Sequence, residues 1–278
     1  MRTLLYKKQK VYRAILMRWL LGRIFRKFGF KRTEEFVKAQ YARSTPQESR
    51  DEIVTETVTR EFNGRLVQLP SIDTSKFKIS YLSRIIRELS LRESGNIRSV
   101  LELGSGDGFN LLALRVLHPE IKIWRGIDLA SPRVVSATSL LADPPMKRLG
   151  YITGFGEEVI RRRLDEGDIK FQEGNMLNAP FPHESFDVVF TCQAIEQIPR
   201  DYLLAFQQAR RIAAKYACFL EEFLEVQNIF HRMHLATVDY FCASIHEVEK
   251  AGFKIIKFEP YPLRTFYFRL GMLVCSCK

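Results

Sequence analysis

Residues Glu102-Leu103-Gly104-Ser105-Gly106-Asp107-Gly108 carry the most specific chemistry in this 278-residue chain. Three glycines at alternate positions let the backbone turn sharply and approach a ligand without a Cβ in the way. An acid ahead of them would repel a pyrophosphate but suits a ligand bearing an amine or another cation. The spacing is not the dinucleotide fingerprint GxGxxG, because Phe109 stands where its third glycine would fall. No Gly-Lys-Ser/Thr follows, so the loop is not a phosphate-binding P-loop.

Two further blocks follow in order. Asp128, in Gly126-Ile127-Asp128-Leu129, closes an apolar run 20 residues beyond Gly108, room for one helix and one strand. Its carboxylate can accept from two neighbouring hydroxyls at once. Gly174-Asn175-Met176, Ala179-Pro180-Phe181 and Ser185-Phe186-Asp187-Val188-Val189 form the second block, with Cys192 and Gln193 just behind it.

These residues need a frame, and the sequence supplies one. Short apolar runs over 99–103, 121–127, 169–172, 186–191, 216–223, 253–259 and 266–277 read as strands. Helical spacing covers 73–93, 109–117, 131–141, 200–214 and 246–251. Strands alternating with helices predict an α/β fold, a doubly wound, mostly parallel seven-stranded sheet. In such sheets ligands lie beyond the carboxyl ends of the strands, where the glycine loop falls.

Val100-Leu101-Glu102-Leu103-Gly104-Ser105-Gly106-Asp107-Gly108 resembles motif I, (D/E)xGxGxG, of the class I S-adenosylmethionine-dependent methyltransferases. The resemblance covers roughly residues 76–278 and extends to the proline-phenylalanine and FDVV block. It implies S-adenosylmethionine as cofactor and a Rossmann-like fold. Glu102 would then serve the methionine end, directly or through water, with Gly104, Gly106 and Gly108 packed along the cofactor. Asp128 would accept from the ribose hydroxyls, and Asn175, where the family has an acid, would accept from the adenine amino group. Met176 would lie on the adenine face, Cys192 and Gln193 near the methionine portion, and Ser105 and Leu129 complete the set. Asp187 reads as structural.

The family's frequent Glu-His pair after the fourth strand is Glu196-Gln197 here, so that histidine is missing. His231 and His234 are the remaining candidates for a general base; His118 and His183 receive no role. Residues 129–174 are longer than one helix and its return require, and read as an extra helix or a lid. Tyr151 or Phe155 in that insertion could line an acceptor pocket, while Arg161, Arg162 and Arg163 read as a solvated helix face.

Charge is concentrated at one end. The net charge is +11, and residues 1–43 hold 13 Lys/Arg against Glu34 and Glu35, so the other 235 residues are balanced. A basic, nucleic-acid-binding active-site mouth has no support from a neutral body. The absent Asn/Asp-Pro-Pro-Tyr/Phe motif favours an oxygen acceptor over an amino group of a nucleic acid. Three regions are expected: a basic amphipathic extension (1–43), a polar connection (44–75) and the methyltransferase domain (76–278).

Within the extension, Val11, Tyr12, Ile15, Leu16 and Trp19 form one apolar stripe. Leu20, Leu21, Ile24, Phe25 and Phe28 form a second on the opposite side, predicting a break near Gly22 or two short helices. No apolar stretch is long enough to span a bilayer. Residues 1–32 therefore suit an anionic membrane surface, packing on the domain, or a mitochondrial presequence. Five cysteines without a CxxC pair indicate neither a disulfide framework nor a metal site, and fit a cytoplasmic protein. The acceptor expected is a small, saccharide or lipid-linked molecule handled at a membrane. The alternatives are an RNA or protein acceptor bound by the basic segment, or a module that binds the cofactor without turnover.

Overall fold

The computed structural model describes residues 2–24, 31–43 and 55–278. Its main sheet uses β3 (Ser99–Leu103), β4 (Ile123–Asp128), β5 (Asp168–Glu173), β6 (Phe186–Cys192), β7 (Ala213–Glu221), β8 (Lys254–Pro260) and β10 (Gly271–Ser276). The order is β5-β4-β3-β6-β7-β10-β8, parallel from β5 through β7. β10 runs antiparallel to both its neighbours. The chain builds outward from β3 to β5 and then restarts at β6 on the other side. The carboxyl ends of β3 and β6 therefore flank the switch point where such sheets bind ligands.

The alternation of side chains along each strand sorts the core into two layers. Val100, Val188 and Phe190 join a cluster with α3 (Ser71–Arg92) and α4 (Phe109–Leu117). Leu101, Leu103 and Val189 join another with Phe206, Ala209 and Ile212 of α8 (Tyr202–Ile212). Asp187 sits at the amino ends of the strands, where Oδ2 accepts from the backbone of Arg98 at 2.7 Å and Ser99 at 3.1 Å. Its structural reading agrees with this placement.

Several element readings need correction. β4 starts at Ile123, because Ile121 is fully buried in the turn that follows α4. The run 266–277 yields a strand only from Gly271, and a two-residue strand, β9 (Leu263–Arg264), precedes it. The insertion forms α6 (Met146–Thr153) and α7 (Glu157–Asp165) after α5 (Ser131–Ala142). Its apolar side chains Leu149, Ile152, Ile160 and Leu164 are buried in the α3/α4 layer, so it thickens the core and does not act as a lid. Tyr151 donates to Asp73 Oδ1 at 2.7 Å on the outside, and Phe155 lies 4.1 Å beneath the Arg163 guanidinium. Neither reaches a ligand cavity. Arg163 also donates to the Val116 carbonyl at 2.7 Å, so only Arg161 and Arg162 of that run are solvated.

The expected polar connection contains a hairpin, β1 (Thr57–Phe62) and β2 (Arg65–Pro70). Asn63 and Gly64 form its two-residue turn at φ 48° and 77°, the left-handed pair that favours Asn-Gly. β1 also pairs with β9, which ties this small sheet to the body.

At the amino end, α1 (Arg2–Ile24) runs unbroken through Gly22, against the expected break. The two stripes serve two surfaces. Ile15 is buried and Tyr12 stacks on Phe230 of α9 (Ile229–Val238) with ring centroids 4.6 Å apart, while Leu20 and Leu21 face outward. Phe25 and Phe28 of the second stripe lie outside the described residues. Among the described residues no helix is long and apolar enough to cross a membrane.

Candidate functional site

A cavity of about 200 Å³ opens at the carboxyl ends of β3, β4 and β6. Its floor is the glycine loop. Gly104, Ser105 and Gly106 line it, with Asp128 and Leu129 on one side and Asn175 and Met176 on another. Cys192 and Gln193 close the end beyond β6. Nine of the eleven residues expected at a cofactor are thus brought together, and Glu102 and Gly108 are the two set back from the lining.

The glycines differ in what they do. At Gly106, φ is 55° and an added Cβ would meet no protein atom within 4 Å, so its missing side chain keeps the cavity open. Gly108 turns the chain into α4 at φ 79°, where a Cβ would lie 2.5 Å from the Phe171 ring. Gly108 is required for packing.

The acids are held differently again. Asp128 Oδ2 accepts from Gly106 N at 2.8 Å and Oδ1 from Ala130 N at 2.9 Å. Each oxygen keeps a second lone pair for a ligand hydroxyl. Burial raises the Asp128 carboxyl above its usual range, partly offset by those two backbone donors. Glu102 is almost fully buried, and burial pushes its carboxyl up to about 8. One of its oxygens accepts from Asn110 Nδ2 at 2.8 Å, and Oε2 has no hydrogen-bond partner. Asn110, which the sequence reading missed, is the residue that lines the cavity there.

Asn175 accepts from Leu177 N at 2.9 Å and donates to Glu34 of α2 (Glu34–Arg43) at 3.0 Å. Val37 and Tyr41 of the same helix line the cavity, so α2 covers it. Arg32 anchors that cover, donating to Gln197 Oε1 at 2.7 Å and to the Val238 carbonyl at 3.0 Å. This part of the basic extension belongs to the site. Its sequence gave no sign of it, because the contacts span more than a hundred residues.

Behind β6 and β7, Glu196, Glu221 and Glu222 are buried together and all raised, chiefly by burial and, at Glu221 and Glu222, also by like charge. Glu221 accepts from Ala194 N at 3.1 Å and so fixes the loop that carries Gln193. Gln193 itself has φ 55°, a conformation that costs a residue with a side chain roughly 1–2 kcal/mol. Burial pushes the Cys192 thiol up to about 12, which leaves it neutral and unreactive.

A second cavity, of about 270 Å³, lies beyond Lys78 and Gln193, and these two residues line both spaces. Arg60 of β1, Tyr261 and Phe268 contribute to its walls. The Asn63-Gly64 turn was the legible signal for the hairpin that carries Arg60. His231 and His234 line neither cavity. His231 is buried in the capping box of α9 with Asn228, and His234 faces Tyr267 with ring centroids 5.1 Å apart. The base role expected for them has no support in this placement. Among the described residues no cluster of His, Cys, Asp or Glu is arranged to hold a metal.

Comparison with known proteins agrees with the fold that carries this cavity. A family model described as a methyltransferase domain matches residues 101–219. No curated protein matches the chain. Among solved structures, the [4+2]-cyclase SpnF superposes with TM-score 0.57 at 13% identity, covering 88% of this chain and 97% of that one. Magnesium protoporphyrin IX methyltransferase from Synechocystis PCC 6803 with bound cofactor gives TM-score 0.53 at 12% identity, covering 87% and 96%. At these identities the superpositions establish the fold.

S-adenosylmethionine fits the residues present: an open space above Gly106, a carboxylate with spare lone pairs at Asp128, and an orphaned buried oxygen on Glu102. The match gives the chain a methyltransferase domain over residues 101–219, in accord with the resemblance of its glycine loop to motif I of the class I S-adenosylmethionine-dependent methyltransferases.

Proposed function

We propose that the chain transfers a methyl group to an oxygen of a small-molecule, saccharide or lipid-linked acceptor at a membrane surface. One observation carries this reading: two cavities, one floored by the glycine loop, meet at Lys78 and Gln193. A donor in the first would then lie next to an acceptor in the second, at the boundary that Lys78 and Gln193 share.

Bound there, S-adenosylmethionine would supply an electrophilic methyl group on a sulfonium, and an acceptor hydroxyl would give up its proton to solvent. The protein's residues supply position. Asp128 would hold the ribose hydroxyls, and Asn175 and Met176 the adenine. Asn110, with Glu102 behind it, would meet the methionine end together with Gln193. α2 excludes water from above. Such a displacement is accelerated chiefly by alignment, and neither His231 nor His234 is needed for it.

The membrane part rests on α1. Its outward side mixes exposed Tyr6, Met17, Leu20 and Leu21 with Lys10 and Arg13, and the helix holds no acid. That pattern suits an anionic bilayer surface. The reading has the enzyme in the cytoplasm.

Calorimetric titration with S-adenosylmethionine tests the site. Asp128→Ala should lose about tenfold or more in affinity, since two charge-assisted hydrogen bonds go. Undiminished affinity in that variant would overturn the assignment.

A further inference from the structure

The second cavity is lined by two cations and no acid. Arg60 enters from β1 and Lys78 from α3, with Tyr261 and Ser75 adding hydroxyls. Leu263, Phe268 and Leu270 give the same space an apolar wall.

Arg60 is half-buried, and one of its nitrogens donates to the Thr59 carbonyl at 3.1 Å. Among the described residues no carboxylate pairs with it. Its chain neighbour Glu61 points to the opposite side of the strand, where Lys8 binds it at 2.5 Å and Arg264 and Arg269 lie at 3.6 Å. Burial accordingly holds the Arg60 guanidinium below its usual range. A desolvated cation without a counter-charge is a cost that a bound anion removes. Planar guanidinium matches carboxylate and phosphate oxygens in pairs. Lys78 reinforces the sign of the field on the side nearest the donor cavity, where its charge also acts on Glu102 and Cys192.

We infer that this cavity is the acceptor subsite and takes a small molecule with a carboxylate or phosphate on an apolar frame, its anion held by Arg60. The inference rests on the methyltransferase reading above. It narrows the acceptor from any small molecule to an anionic one.

The probes are benzoate, phenyl phosphate and uncharged benzamide, titrated into protein saturated with S-adenosylhomocysteine. At least one anion should bind about tenfold or more tightly than benzamide, and which one does separates carboxylate from phosphate recognition. Arg60→Met should bring that anion down to the level of benzamide, and Arg60→Lys should restore part of the difference. Circular dichroism checks that both variants fold. Benzamide binding as well as both anions, no binding of either anion, or an unchanged anion affinity in Arg60→Met would each overturn the inference. S-adenosylhomocysteine is titrated first into wild type. Its failure to bind sinks the cofactor reading, whereas its binding with a negative anion result sinks the acceptor assignment alone.

Discussion

Asn110 Nδ2 donates to Glu102 Oε1 across 2.8 Å, which interposes an amide between the motif's acid and the cavity. The acid lies beneath the floor, almost wholly shielded from solvent, with its second oxygen unpartnered. The arrangement makes protein stability depend on pH.

The unfolded Glu102 carboxyl titrates near 4.5 and the folded one near 8. Between these values the folded protein keeps a proton that the unfolded chain has released, so stability falls as pH rises through the window. It is fully present below the lower value. Glu102→Gln removes this dependence. Its melting temperature relative to wild type should therefore rise between about pH 5 and about pH 9. A constant difference across that range would show that Glu102 is ionised in the folded protein.

Gly106 and Gly108 should fail in different ways. Gly106→Ala carries only left-handed strain, about 1–2 kcal/mol, but its methyl projects into the cavity. Gly108→Ala adds overlap with Phe171 and Ala137, and should cost about 3 kcal/mol or more. Denaturation would rank Gly108→Ala as the less stable. Calorimetry would rank Gly106→Ala as the weaker cofactor binder among folded protein. The reverse order in either measurement would contradict the division of roles.

His231 is predicted to be dispensable for turnover. Burial, with Arg269 and Lys8 nearby, drives its pKa down from 6.5 to about 3, so the ring stays neutral in the folded protein. The unfolded chain takes up that proton first, so this residue costs stability as pH falls from 6.5 toward 3. His231→Gln keeps a side chain suited to the capping box. Its rate should stay within about twofold of wild type, and acid unfolding should shift to lower pH. A loss of about a hundredfold in kcat would instead identify a general base.

Met17 and Leu21 lie exposed on the outward side of α1, away from α9. Replacing both with Asp should leave the melting temperature unchanged. Flotation with phosphatidylserine vesicles should fall by about tenfold or more, because apolar contact and charge attraction are lost together. Equal flotation of variant and wild type would end the membrane reading.

Legibility from sequence followed the range of the interactions. The glycine loop, Asp128 and the FDVV strand were readable because each is a local pattern in which residue type and spacing carry the chemistry. Strand and helix alternation likewise follows from side-chain periodicity along a few residues, and it located β3, β4, β5, β6, β7 and β8 to within a few positions. The hairpin escaped because Thr57–Phe62 alternates weakly, although its Asn63-Gly64 turn stood in plain sequence.

The sequence by itself therefore determined the glycine loop and Asp128 that line the first cavity, because backbone conformation and a strand-end carboxylate are local features. Only the tertiary structure decided the rest. It put α2 over the cavity through Arg32, Glu34 and Asn175, set Glu102 behind Asn110, and moved the two histidines out of the site. It also brought Arg60 and Lys78 to one space without an acid. These outcomes depend on which faces of distant elements meet, and packing between segments far apart in the chain leaves no local pattern to read.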